Sequence, residues 1–423
     1  MEKEFLLDNP IDVPIKLNFH KIDDGYLCIA REKPNWLSLN DLEKKVLTEL
    51  NKGIILRDSL LSLMNLNEQE IISIAKSLLE KIDKNEFYEN AVNIIEDGDL
   101  AMHYYITNMC NLECIHCYRD AGKFKDKNEL TTQEIKNLFD DFSKLSKGPV
   151  SFSGGEPLKR SDFFEIVEYI KNLGNSLSLY TNGILITGQN SKKISEFFDA
   201  VQISLDGATP KINDEIRGEG SFNKIIRGIN YLENSIIPIT ISMVVNPINE
   251  EDIRLNLRYL LKERIRNSNV SIKIGGLVSY GRGKCIEKGD SIELIEKIIN
   301  DSGIKSFKKT DVPRNIKNTG CGYGKAMVLN YNGDIFSCSI TQEEARIGNI
   351  KSMGMDEIFE KLEQASESTS VHNFKECKEC DLEYICGGGC RIKNKKQTGD
   401  FTKPHCDEKY KERIYKQLYG ILS

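Results

Sequence analysis

From about residue 100 to residue 276 the sequence alternates strand-like and helix-like runs, and few folds accommodate that rhythm. "AMHYYIT", "PVSFS", "SLSLYT", "AVQISL", "IPITISMVV" and "VSIKIGGLV" are short and rich in β-branched and aromatic residues. Between them, "TTQEIKNLFDDFSKL", "RSDFFEIVEYIKNL", "SFNKIIRGINYLEN" and "NEEDIRLNLRYLLKERI" repeat apolar residues at helical spacing. Six such βα units predict a parallel sheet with helices outside, either an incomplete barrel or a doubly wound sheet.

The polar motifs fall where each strand ends. Cys110, Cys114 and Cys117 ("CNLECIHCYRD") follow the first strand and "SGGEP" (Ser153–Pro157) the second. "TNG" (Thr181–Gly183) follows the third, "SLDG" (Ser204–Gly207) the fourth, Asn246 the fifth and "GGLVSYGRG" the sixth. All converge on the C-terminal rim of a parallel barrel, where such folds build active sites. Thiolates separated by three and then two residues can ligate three irons of a 4Fe–4S cluster and leave the fourth open. Gly154 and Gly155 let backbone approach a small molecule, and Glu156 can hold an ammonium group. An amino-acid-like ligand chelating the open iron fits, and S-adenosylmethionine is one. The competing reading is a zinc site of Cys110, Cys114, His116 and Cys117, made awkward by the adjacency of the last two.

Twelve cysteines would mean disulfides in a secreted chain, but the N-terminus carries no basic, then apolar, export signal. Metal or redox chemistry in the cytoplasm is the expectation, with no membrane partner, since no apolar run approaches 18 residues. A net charge of −6 argues against nucleic acid as partner. At 423 residues, several domains are expected. Residues 1–92 read as a winged-helix-like α+β unit: two strands around "DDG", then three helices. Residues 100–310 hold the barrel. Residues 311–423 open with a hairpin turning at Asn332-Gly333 and continue as a cysteine-rich segment with little apolar core, which metal would have to hold together. Cys28 reads as an ordinary small core residue.

"CNLECIHC" and "GGEP" resemble the signatures of the radical S-adenosylmethionine (SAM) enzymes. The resemblance implies a partial (β/α)6 TIM-like barrel, a reducing 4Fe–4S cluster on Cys110, Cys114 and Cys117, and Gly154, Gly155 and Glu156 at the methionine amino group. It also implies His116 against the adenine and Ser204 at ribose or carboxylate. Arg217 is either a partner of the ligand's carboxylate or a structural ion pair. Cys321, Cys338, Cys377, Cys380, Cys386, Cys390 and Cys406 resemble the SPASM extension of the same superfamily. That likeness implies one auxiliary 4Fe–4S cluster on Cys377, Cys380, Cys386 and Cys406. Three irons of a second would take Cys321, Cys338 and Cys390, one ligand short, to be completed by a peptide thiol, solvent or a residue such as Cys285.

"DDGYLCIAREKPNWLSLNDLEKKVLTELNKG" resembles the leader-recognition domain of ribosomal-peptide-modifying enzymes. Its rival, a DNA-binding winged helix, is disfavoured by 12 Lys and Arg against 17 Asp and Glu in residues 1–90, a net of −5. A leader would add a strand to the sheet edge. The whole then resembles maturases that act on a precursor peptide through a 5′-deoxyadenosyl radical. An external donor such as flavodoxin or ferredoxin would supply the electron. The open position of the second auxiliary cluster favours the thioether-forming, sactipeptide- or ranthipeptide-type subgroup. A carbon–carbon cross-link or sulfatase-type Cys or Ser maturation is the alternative. In the sulfatase-type group an aspartate follows the second SPASM cysteine, whereas here Ser339 follows Cys338.

Overall fold

The computed structural model describes residues 9–62, 67–91, 99–122, 126–266, 269–278, 280–286, 313–340 and 343–422. The end of "LRDSLLSLM", Ser279 of "GGLVSYGRG" and the last part of the expected barrel region, residues 287–310, lie outside the described residues. The chain forms two compact units. One comprises Met1–Asp97, Asp311–Tyr323 and Ala365–Ser423, the other Gly98–Thr310 and Gly324–Gln364.

In the second unit the six expected strands are all present: β4 (Ala101–Thr107), β5 (Val150–Gly154), β6 (Leu177–Thr181), β7 (Ala200–Ser204), β8 (Ile239–Val245) and β9 (Val270–Gly276). They pair in parallel in chain order, β4 to β9, with no reversal of strand order. A doubly wound sheet must reverse at its switch point, so the winding is that of a partial barrel. β10 (Ala326–Leu329) adds in parallel beside β4, and β11 (Asp334–Phe336) and β12 (Arg346–Asn349) extend the sheet antiparallel. The β10–β11 hairpin turns at Asn330–Gly333 as expected, Asn330 N–H bonding to Asp334 O at 2.8 Å and Gly333 taking a φ of 90°.

The helices between strands start where the sequence says they should. α4 (Thr132–Leu145) opens with a capping box, Thr131 and Glu134 each bonding the other's backbone N–H. It buries Ile135, Leu138, Phe139 and Phe142 against Tyr104 and Phe152. Each such side chain contributes roughly 1.5–3 kcal/mol of burial free energy. Two short helices, α6 (Ser191–Phe197) and α7 (Pro210–Arg217), were not apparent in the periodicity because seven or eight residues carry too few repeats.

The first unit begins with three antiparallel strands, β1 (Leu17–Ile22), β2 (Gly25–Ala30) and β3 (Asn35–Leu39), in the order β1-β2-β3. The sequence pattern announces only two, because the "SL" of β3 reads as the approach to helix α1 (Asp41–Leu50), whose N-cap is Asn40. α2 (Leu56–Ser62) and α3 (Glu68–Lys84) follow. One face of the sheet carries Cys28, Leu37 and Leu39 into a core with Val46, Leu47 and Leu78, so Cys28 is the small core residue expected. The other face sets Ile22, Leu27, Ile29 and Trp36 against Leu382, Ile385 and Leu418, the last from helix α13 (Glu408–Leu422).

Candidate functional site

Met102, Tyr104 and Ile106 of β4 point into the helix-facing core, so His103, Tyr105 and Thr107 take the opposite, lumen-facing side. Strand alternation continues this pattern with Ser151, Ser153, Gln202 and Ser204. Branched apolar side chains normally fill such a lumen. Here it is polar, as a ligand cavity would be.

The cysteine loop after β4 is braced from four directions. Gly155 N–H donates to Thr107 O (2.8 Å) and Glu156 N–H to Met109 O (2.7 Å). Asn182, beyond β6, donates from Nδ2 to Asn111 Oδ1 at 2.8 Å and approaches Cys110 Sγ at 3.9 Å. Ile115 N–H donates to Ile216 O of α7 (3.0 Å). After β9, Arg282 donates from Nε to Cys114 O (2.9 Å) and pairs with Asp120 (2.7 Å), while its own N–H reaches Cys117 O (3.0 Å). A loop so held presents three thiols without further ordering cost.

The glycines have a definite reason to be glycines. A Cβ at Gly154, whose φ is 128°, would stand 2.4 Å from Thr107 O, and one at Gly155 would stand 2.1 Å from Met109 O. Their close approach is to the backbone entering the cysteine loop. Glu156 is fully buried, and its carboxylate accepts from Thr181 Oγ1 (2.7 Å), Asn182 N (2.7 Å) and Leu158 N (3.1 Å). Burial pushes its pKa up to about 7 against those hydrogen bonds.

His116 and Arg217 meet at Asp206, at 3.1 Å from Nε2 and 2.6 Å from Nη2. Burial pushes the Asp206 carboxyl up, but Arg217 and His116 outweigh it and hold the group well below the usual carboxylate range. Arg217 thus makes the structural ion pair. His116 Nδ1 and Arg217 Nε remain buried with no hydrogen-bond partner among the described residues. Ser204 is half-buried at the end of β7, beside Ser242 of β8. Asn182, Asp206, Arg282 and a tyrosine pair were missed as site residues. Tyr105 donates to Ser339 O (2.8 Å) and receives the hydroxyl of Tyr118 (3.1 Å), tying the residue after Cys117 to the residue after Cys338. "TNG" and "SLDG" carried the signal for the first two.

In the first unit a cavity of about 260 Å³ is lined by Cys377, Cys380, Cys386 and Cys406 together with Pro404, His405 and Tyr410. These are the four thiols that the resemblance to the SPASM extension assigns to one auxiliary cluster. Burial, and after it the neighbouring thiols Cys386, Cys380 and Cys406, push the pKa of Cys377 up to about 12. Cys321 and Cys390 form a separate pair. The Cys390 side chain, helped by Arg391, holds the Cys321 thiol below its ordinary range. Cys338 follows β11 and Cys285 ends a short 3-10 turn, Gly281–Cys285, both in the other unit. Among the described residues no three His, Cys, Asp or Glu side chains converge tightly enough for one metal ion. A cluster, each of whose irons takes its own thiolate, needs no such convergence, and the four-thiol cavity and the unpartnered nitrogens at the rim fit it.

The radical SAM superfamily profile matches residues 104–260, and that of SPASM, an iron–sulfur cluster-binding domain, matches residues 321–381. This chain carries a radical SAM domain followed by a SPASM domain. The radical SAM domain binds SAM and a 4Fe–4S cluster, and the SPASM domain binds auxiliary iron–sulfur clusters. The chain is 29% identical to the mycofactocin maturase MftC of Mycolicibacterium smegmatis over 324 residues, 70% of this chain and 78% of the relative. It is also 29% identical to the AdoMet-dependent heme synthase of Methanosarcina barkeri over 339 residues, 71% and 94% of the two chains. In fold it is similar to Streptococcus suis SuiB bound to S-adenosylmethionine, with a TM-score of 0.59, 17% identity and coverage of 94% of this chain and 99% of the other. No helix among the described residues is long and apolar enough to cross a membrane.

Proposed function

We propose that this chain is a peptide maturase that removes hydrogen from a ribosomally made precursor and installs Cys-derived thioether cross-links. The observation that carries the radical chemistry is the cysteine loop itself, three thiols pinned at the barrel rim beside Glu156, His116 and Arg217. When bound, the cluster and SAM supply a 5′-deoxyadenosyl radical, and the auxiliary clusters supply an electron acceptor.

The protein's part is positional. Cys110, Cys114 and Cys117 hold the reducing cluster. Gly154, Gly155 and Glu156 form the wall against which the methionine end lies, and the free nitrogens of His116 and Arg217 serve as donors to the ligand. The carboxylate of Asp206 fixes both of those side chains, and Ser204 offers a hydroxyl from the strand beside them. Cys377, Cys380, Cys386 and Cys406 take one auxiliary cluster, and Cys321 and Cys390 contribute to a second.

The peptide reading draws support from MftC, named a maturase, and from SuiB, whose fold has been seen bound to its precursor peptide SuiA with a TM-score of 0.57 to this chain. The three-stranded front sheet supplies an edge for a leader strand. The thioether rests on the ligand count: seven tail cysteines leave a second four-iron cluster one thiol short. Electrons would come from a flavodoxin- or ferredoxin-type donor in the cytoplasm.

Co-expression with a Cys-containing precursor encoded beside this gene tests the reading. A thioether gives a product lighter by two hydrogens per event whose cysteine resists alkylation. The same mass loss with an alkylatable thiol would move the assignment to a carbon–carbon bond or another oxidation. SAM left intact by reduced, reconstituted protein would remove the enzyme altogether.

A further inference from the structure

Arg391 is fully buried, and no carboxylate pairs with it among the described residues. Among the described residues its guanidinium donates to backbone carbonyls alone: Thr369 O (2.7 Å), Gly389 O (2.6 Å) and Thr319 O (3.3 Å). Its flat face lies 4.5 Å from the centre of the Phe374 ring. The two buried acids of this unit's cysteine segment are engaged elsewhere, Glu383 with Arg31 at 2.7 Å and Asp381 with His20 and Tyr415.

A buried cation without an anion costs several kcal/mol, and carbonyl dipoles offset only part of that. Arg391 directly follows Cys390 in the chain, and burial, which disfavours its charge, is opposed by the thiols Cys321, Cys386, Cys377 and Cys390, drawn from both groups of tail cysteines. Its backbone N–H also reaches the Cys321 sulfur, and a guanidinium nitrogen lies against Gly320, next to Cys321 in the chain. Neutral thiols leave the charge unbalanced. Thiolates on iron would balance it.

We propose that Arg391 is the fixed countercharge of the auxiliary clusters, a positioning residue that favours their reduced forms and so raises their reduction potentials. Reduction adds an electron and no proton, and a nearby fixed positive charge stabilises the more negative state. Charge, hydrogen bonding and burial are the levers by which a protein sets such potentials. This rests on the assignment of the tail thiols to clusters and not on the peptide substrate.

The test uses the full chain carrying Cys110→Ala, Cys114→Ala and Cys117→Ala, so that only auxiliary clusters contribute signal. Arg391→Gln and Arg391→Lys are built in that background, reconstituted anaerobically and titrated redox-potentiometrically under EPR. The glutamine variant is expected to shift at least one midpoint to more negative potential, with lysine nearer the parent. Midpoints unchanged in Arg391→Gln would overturn the proposal. If Arg391→Gln does not retain iron, retention by Arg391→Lys supports a role for charge, and equal loss from both assigns Arg391 to packing and overturns it. A parent without iron would overturn the cluster assignment and this proposal with it, whereas failure to modify a peptide would leave the potentials as predicted.

Discussion

Gly155→Ala should strip the rim cluster while sparing the auxiliary ones. The added methyl would stand 2.1 Å from Met109 O and 2.5 Å from its carbonyl carbon, both backbone atoms one residue before Cys110. No rotamer relieves that contact, so the two strands must part. Overpacking of this kind costs about 1–3 kcal/mol. Separation also weakens the bonds from Gly155 N–H to Thr107 O and from Glu156 N–H to Met109 O, each worth about 1 kcal/mol. A combined cost of about 2–4 kcal/mol corresponds to a loss of roughly thirty- to several-hundred-fold in the population holding the loop correctly. Three four-iron clusters give about twelve irons per chain, of which the variant should lose about four. The assay is iron and sulfide content after anaerobic reconstitution, with EPR of the rim cluster before and after adding SAM. Gly122→Ala is the control, because it lies in the same loop and its added methyl meets nothing within 4 Å among the described residues. If Gly155→Ala keeps the full iron complement and the SAM-induced spectral change, the reasoning that the glycine positions the cysteine loop is refuted.

Asp206→Asn leaves Arg217 and His116 without their anion, and breaking a buried pair costs about 3–5 kcal/mol. Chemical denaturation of the metal-free protein should show that loss at neutral pH. Because the folded carboxyl lies below its ordinary range, the contribution is present above about pH 4 and fades as pH falls, so the variant and parent should converge in acid. Glu156 has the opposite sign. Its pKa, raised to about 7 by burial, makes the metal-free protein lose about 3 kcal/mol of stability as pH climbs from about 4.5 to about 7. Glu156→Gln should flatten that slope in denaturation curves, and an unchanged slope would deny the shift. Leu418→Ala, at a fully packed position against the front sheet, should cost about 2–5 kcal/mol and speed proteolysis of the first unit.

The barrel and its furnished rim were readable because both are periodic. Strand-to-helix alternation fixes which residues end each strand, and those ends are where Cys110, Gly155 and Asn182 fall. What the alternation cannot encode is which rim residues face one another across the barrel. His116, Asp206 and Arg217 lie up to about a hundred positions apart, and nothing local in "SLDG" or "EIRGEG" announces that they share a charge. Glu156 illustrates the same limit: its residue type pointed to ligand chemistry, but its three hydrogen-bond donors within the protein depend on packing. β3 was hidden because it is only five residues long, opens on Asn35 and runs almost straight into the Asn40 cap. Arg391 stands beside a cysteine in a basic stretch, and nothing in that stretch marks it as buried.

Trp36, Ile29 and Leu27 on the front sheet share one apolar cluster with Leu382, Ile385 and Leu418 from the far end of the chain. The two termini therefore mature as one body, and neither can be traded independently. A chimera that borrows another enzyme's front strands while keeping this tail would strand a greasy surface beneath the four-cysteine cavity. Retargeting such a protein to a new precursor would require transplanting both ends as a matched set.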